Sequence, residues 1–141
     1  MAVTYEHDPE LGIEELIDLY DSVGWSAYTA DPDGLKRAVA NSTYVVAARE
    51  GGELLGVARC ISDDVSICHI QDILVRPTRQ RSGIGRELFS QCTEHFGNVR
   101  MFVLMTDDEP RQQSFYASMG MQNLADTPTL RVFFTSNPPS G

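Results

Sequence analysis

Hydrophobic positions change their period several times along the chain, and each change predicts an element. Leu11, Leu16, Leu19 and Tyr20 fall on a helical stripe over residues 11–22, closed by Gly24 after the last turn. Asp31-Pro32 opens a second short helix, with Leu35 and Val39 as its apolar positions. The period then shortens. Residues 43–49 (TYVVAAR) are rich in β-branched side chains, Gly51-Gly52 is a hairpin turn, and residues 53–60 (ELLGVARC) return as the partner strand. A third strand over 66–75 ends at Pro77, and residues 3–6 form a short first strand. Leu88, Phe89, Cys92 and Phe96 mark one face of a helix over 85–96, with Gly97 as its C-cap. Residues 99–105 (VRMFVLM) read as a nearly continuous buried strand, and Pro110 starts a helix that Gly120 ends. Residues 129–134 (TLRVFF) predict a last strand. The order β-α-α-β-β-β-α-β-α-β implies an α/β fold, with a mixed sheet and helices on both faces.

The chain of 141 residues suits one domain, expected over 1–134, followed by a disordered tail over 135–141. A hydrophobic fraction of 42% and a charged fraction of 22% are those of a globular protein. The absence of a long apolar run and of a basic-then-apolar leader leaves a cytoplasmic protein as the expectation, with no membrane partner. Cys60, Cys68 and Cys92 are too far apart for a metal motif and read as buried thiols, Cys60 and Cys68 facing each other across a hairpin. His7, His69 and His95 lack ligand-like spacing, so no metal is expected.

A net charge of −9 argues against nucleic acid as a partner. The local distribution differs from the whole. Arg76, Arg79, Arg81 and Arg86 lie in one stretch without an acidic side chain, although the entire chain holds 11 basic residues. That stretch also contains Gly83 and Gly85, at the start of a helix. Glycines let backbone N–H groups approach a ligand, and the helix adds its positive dipole end, so the segment suits a pyrophosphate. A Walker loop is excluded because the only lysine, Lys36, is distant. A dinucleotide fingerprint needs a third glycine where Leu88 stands and a shorter approach from the strand, although Asp107 could imitate its ribose-binding acid.

Val75-Arg76-Pro77 followed by Gln80-Arg81-Ser82-Gly83-Ile84-Gly85 resembles the acyl-CoA signature of the GNAT superfamily of N-acyltransferases. A second stretch, Phe115-Tyr116-Ala117-Ser118-Met119-Gly120-Met121, is similar to the family's Phe-Tyr-x-x-x-Gly-Phe, with Met121 where an aromatic is usual. The family's asparagine shortly before that tyrosine is missing; Glu109 is the nearest match. Residues 19–42 and Gln71-Asp72-Ile73-Leu74-Val75 look most like the small arylalkylamine or serotonin-type branch.

The resemblance implies a three-layer fold whose parallel strands part to admit a thioester. Its co-substrate would be acetyl-CoA, held by Ile73, Leu74, Val75, Gln80, Arg81, Ser82, Gly83, Ile84, Gly85, Arg86 and Tyr116. It further implies a backbone N–H, of Leu74 or Val75, polarising the thioester carbonyl, and Tyr116 as the acid that protonates the departing thiolate. On helix pattern alone Phe115, Tyr116 and Met119 would be a core face. Asp72, placed by strand alternation on one face with Ile70 and Leu74, is a candidate base or ammonium ligand, or equally a structural hydrogen-bonding group. Alternation puts His69 on the opposite face, as a packed residue. Trp25 and Tyr28 would line the acceptor pocket or close the core. The acceptor expected is a small-molecule amine; a protein amine, or a non-catalytic acyl-CoA-binding module, is the alternative. Dimers are common in such families, which makes the last strand a candidate interface of a homodimer.

Overall fold

The structure, a computed structural model, describes residues 2–137; the rest of the expected tail lies outside the described residues. Contacts divide the chain into two compact units, Met1–Met105 and Thr106–Gly141. The first unit carries a five-stranded sheet in the order β1 (Thr4–His7), β2 (Tyr44–Glu50), β3 (Glu53–Ser62), β4 (Ile67–Val75) and β5 (Met101–Val103). The first four strands pair antiparallel, and β4 pairs β5 in parallel. This is the mixed α/β sheet that the sequence pattern implies.

Three helices, α1 (Ile13–Ser22), α2 (Ser26–Thr29) and α3 (Pro32–Ala40), follow β1. The sequence pattern anticipated α1 and α3 but not α2, the short helix that carries Tyr28. Asp31 caps α3 by accepting from the Gly34 N–H at 3.1 Å, a bond worth about 1 kcal/mol at such positions. Leu16, Leu19 and Tyr20 of α1 and Leu35 and Val39 of α3 bury against Val45, Ala47, Leu54, Val57 and Leu74 of the sheet. Each large apolar side chain fully buried there contributes about 1.5–3 kcal/mol.

The opposite face carries α4 (Ile84–His95). Leu88, Phe89, Cys92 and the following Phe96 are buried, and Phe96 meets Tyr44 edge-on at 5.8 Å. Gly56 of β3 lies under this helix. A Cβ there would sit 2.8 Å from the Leu74 carbonyl oxygen and 3.2 Å from a Leu88 methyl. The glycine thus permits close approach of helix to sheet, and Gly56→Ala should lose about 1–3 kcal/mol by overpacking. Urea unfolding would show this as a lower midpoint with unchanged slope.

All three cysteines are free and buried, as expected. Cys60 and Cys68 do meet, in a hydrogen bond that, with burial, pushes the Cys68 thiol well above its ordinary range. Among the described residues no group of His, Cys, Asp and Glu is placed to hold a metal ion, and no helix is long and apolar enough to cross a membrane.

Two strand expectations need correction. β5 is three residues long instead of seven, and Met101 and Met105 are 45% and 57% exposed, so the run 99–105 is no buried strand. In the second unit, residues 129–134 form no strand; Leu130, Val132, Phe133 and Phe134 are exposed, Phe133 at 94%. That unit contains α5 (Pro110–Ser118), begun by Pro110, and Gly120 follows it in the left-handed conformation.

Candidate active site

The loop between β4 and α4 starts with a short 3-10 turn, Pro77–Arg79, and ends at Gly83, whose φ of 89° only glycine adopts without strain. The first backbone bond of α4 runs from Glu87 N–H to the Gly83 carbonyl at 3.0 Å. The N–H groups of Ile84, Gly85 and Arg86 are therefore left without an intrahelical acceptor. A Cβ on Gly83 would meet nothing within 4 Å, so this glycine leaves open room beside those donors. Such a cradle suits the pyrophosphate of a nucleotide cofactor.

Not every loop arginine is available to it. The Arg76 guanidinium pairs with Asp18 at 2.6 Å and donates to the Leu54 carbonyl at 2.7 Å. Arg79 pairs with Glu50 at 2.5 Å. These two hold the loop to α1 and to the β2–β3 hairpin. Arg81, with φ of 64°, and Arg86, directly after Gly85, are the exposed arginines near the glycines.

Before the loop, β4 outruns β5. Their pairing covers Ile67–Met101, Cys68–Phe102 and His69–Val103 only. From Ile70 to Val75, β4 has a strand partner on its β3 side alone among the described residues. Arg76 N–H donates to Leu55 on β3 at 2.8 Å, and Leu74 lies opposite Val57. Antiparallel alternation then turns the Leu74 N–H toward β3, and the Ile73 and Val75 N–H groups toward the open edge. The Val75 carbonyl on that edge accepts from the Gln80 side chain at 3.0 Å. Gln80 thus fastens the loop to the strand.

On the α1–α3 side of the sheet lies a buried polar cluster. Arg59 and Asp72 face each other across β3 and β4, 6% and 4% exposed. Arg59 Nε donates to Asp72 Oδ2 at 2.5 Å, and the Tyr20 hydroxyl donates to the same oxygen at 3.0 Å. The Tyr28 hydroxyl donates to Oδ1 at 2.9 Å. Arg59 also donates to the Tyr28 oxygen and to Ser42 Oγ, at 3.0 and 3.3 Å. Burial, and then the Asp72 charge, push the Tyr20 phenol far above its ordinary range, so it stays a donor. Tyr20, Trp25 and Tyr28 pack mutually, with ring centroids 5.0 to 6.2 Å apart. Trp25 and Tyr28 are both half-buried against the core.

Arg59 was given no role by the sequence reading, although an arginine in an apolar strand needs a buried partner. A β-bulge supplies the other surprise. The register passes from Arg59–Asp72 directly to Cys60–Ile70, leaving Gln71 as an extra residue. Arg59 and Cys60 are consecutive, so they point to opposite faces, and so do their partners. Ile70 therefore does not share the face of Asp72. His69, opposite Ile61, does share it, which reverses the expectation for both residues.

In the second unit, Phe115, Tyr116 and Met119 form the half-buried side of α5 and its end. The Phe115 and Tyr116 rings meet edge-on at 5.0 Å.

Residues 16–131 match the model of the acetyltransferase (GNAT) domain. The chain belongs to the GNAT acetyltransferase family. A ycf52-like uncharacterized N-acetyltransferase of Prochlorococcus marinus is 34% identical over 116 residues, 78% of this chain and 62% of that protein. A GNAT-family acetyltransferase from Streptococcus pneumoniae superimposes with a TM-score of 0.81 at 26% identity, covering 96% of this chain and 98% of that one. An aminoglycoside acetyltransferase from a soil metagenome, in complex with sisomicin, shares the fold with a TM-score of 0.70 at 18% identity, over 95% of this chain and 96% of that chain. This GNAT chain spans less than two thirds of the length of the curated relatives it matches.

Within the GNAT frame, the first unit brings together Ile73, Leu74, Val75, Gln80 and the glycine loop, and separately Tyr28 with Asp72. Tyr116 belongs to the second unit.

Proposed function

We propose that this GNAT protein transfers an acetyl group from acetyl-CoA to the primary amine of a small molecule, by direct attack of the amine. The observation that carries this reading is the juxtaposition of two sets of backbone donors that the helix and the sheet leave over. Ile84 and Gly85 N–H open α4, and Ile73 and Val75 N–H line the edge of β4 that has no strand partner among the described residues. The first set would hold the pyrophosphate, with Arg81 and Ser82 beside it. The second would pair with the extended pantetheine and with the thioester carbonyl.

Because Leu74 turns its N–H to β3, the oxyanion donor is assigned to Ile73 or Val75. Leu74 anchors the strand through its buried side chain. Asp72 is assigned a scaffold role, since its two oxygens already accept three hydrogen bonds. It shapes the acceptor side by fixing Tyr28, and the half-exposed ring of Trp25 would contact the amine's apolar part. Tyr116 remains the group proposed to protonate the thiolate. Acetyl-CoA supplies the activated acyl group; the residues bind it, polarise its carbonyl and hand over protons.

Calorimetry with acetyl-CoA and with free CoA tests the first half. Binding is expected, and the melting temperature should rise with ligand; at 100 times Kd the gain is about 2.7 kcal/mol. No binding of either would remove the proposal. A screen reading CoA release across arylalkylamines, polyamines, aminoglycosides and peptides tests the second half. Binding without release would leave a non-catalytic acyl-CoA module, and release with peptides alone would shift the acceptor to a protein amine.

A further inference from the structure

We propose that Glu50, on the β2–β3 hairpin, restrains acetyl-CoA binding by competing with its phosphates for Arg79; the inference rests on the cofactor site proposed above. Acetyl-CoA carries its charge on phosphates, and the chain bears −9, so each cation of the glycine loop weighs on binding. Arg79 closes the 3-10 turn of that loop, and the Ser82 hydroxyl donates to its carbonyl at 2.5 Å. This bond brings the Arg79 backbone back beside Ser82 and Gly83, where α4 begins. The guanidinium is nevertheless aimed elsewhere, with Nη1 on Glu50 Oε2 at 2.5 Å.

An ion pair in this place has two possible uses, to fasten the loop or to occupy the arginine. The fastening is supplied by other bonds. Arg76 ties the start of the loop to Asp18 and to the Leu54 carbonyl, its N–H donates to the Leu55 carbonyl, and Gln80 holds the Val75 carbonyl. The hairpin is pinned one residue before Glu50. There Arg49 pairs with Glu6 at 2.9 Å and Glu15 at 2.8 Å, and donates to the Gly52 carbonyl at 3.2 Å. Neither backbone depends on the Arg79–Glu50 pair.

The pair is also the exchangeable one. The Arg76 side chain is 14% exposed and held twice, whereas that of Arg79 is 33% exposed and has one ion pair among the described residues. Ion pairs this open to water are weak, and a phosphate offers a guanidinium the two-oxygen face of a carboxylate with more charge. Arg79 therefore changes partners when the cofactor enters. Breaking the pair opposes binding, and so does the Glu50 charge left uncovered near the phosphates. The hairpin carboxylate thus sets the affinity downward, for acetyl-CoA and for the CoA product alike, and eases product release.

Calorimetry on the wild type, Glu50→Gln and Arg79→Gln tests this, with acetyl-CoA, free CoA and S-acetylpantetheine as probes. Glu50→Gln should bind acetyl-CoA and CoA about 3–10-fold more tightly, a gain that shrinks as salt is added. Arg79→Gln should bind both about 3–10-fold more weakly, because Glu50 then faces the phosphates unopposed. The two variants break the same ion pair, so a fastening role would shift both in one direction; competition shifts them in opposite directions. S-acetylpantetheine, which lacks phosphates, should bind all three proteins alike.

Glu50→Gln within about twofold of the wild type, or both variants weakened, overturns the competition and leaves the cofactor site standing. A tightening shared by S-acetylpantetheine overturns it as well, since the effect would not pass through phosphate. Absence of acetyl-CoA and CoA binding in the wild type and both variants instead overturns the cofactor site, and the role of Glu50 with it.

Discussion

Replacing Arg59 by methionine should destabilise the protein by about 3–5 kcal/mol, an effect large enough to threaten folding at growth temperature. The magnitude follows from what is left behind. Asp72 is 4% exposed, and without Arg59 only the Tyr20 and Tyr28 hydroxyls would face its negative charge. Hydroxyl donors offset part of the desolvation of a carboxylate, but they bring no opposite charge. In the intact protein burial works against the Arg59 charge, and the adjacent carboxylate outweighs that and keeps the guanidinium firmly protonated. The pair therefore stands or falls as a unit. Removing both members, as Arg59→Met with Asp72→Leu, should restore most of the stability, because a packed apolar pair incurs no desolvation penalty. Urea unfolding of the two single variants and the double variant measures the coupling directly. If Arg59→Met came within about 1 kcal/mol of wild type, Asp72 would have to be neutral or reached by water, and its role as a fixed scaffold would fail.

Strand and helix identities were largely legible because burial imposes a period. Tyr44–Glu50, Glu53–Ser62 and Ile67–Val75 match their expected ranges to within a residue or two, and so do α1, α3, α4 and α5. What the pattern could not carry was the number of neighbours a strand has. Residues 99–105 are apolar enough for a buried strand, yet only Met101–Val103 pair, and they sit at the sheet edge. Residues 129–134 combine β-branched and aromatic side chains and form no strand at all. Period-two reasoning also has no access to a bulge: one extra residue, Gln71, inverts the faces of His69 and Ile70 relative to Asp72.

The candidate site was legible where it depends on backbone and spacing, as at Gly83 and at the end of β4. It was less so where it depends on pairing. Counting four arginines near the glycines suggested one anion site, but Asp18 and Glu50, far away in sequence, claim Arg76 and Arg79. Arg59 left a usable trace. Two charges that are each costly in an apolar strand, Arg59 and Asp72, are best explained by each other, and the short turn between β3 and β4 sets their strands side by side.

Tyr116→Phe should lower kcat about 10²–10³-fold while leaving the affinity for acetyl-CoA and the stability nearly unchanged. The substitution separates two roles that the helix pattern alone cannot. Phe115, Tyr116 and Met119 form the half-buried side of α5 and its end, and the Tyr116 ring packs edge-on against Phe115. Phenylalanine keeps that ring contact and removes one hydroxyl. If the tyrosine is there to pack, the variant should fold and turn over as the wild type does. If the phenol donates its proton to the departing thiolate, its loss falls on the step that breaks the carbon–sulfur bond. Binding precedes that step and is spared, so kcat and kcat/KM should decline together, without a rise in the Kd for acetyl-CoA. Single-turnover rates, set beside calorimetric binding and a thermal melt on the same preparation, distinguish the cases. An undiminished kcat would return Tyr116 to the core of its helix, and the thiolate would then leave without a protein acid.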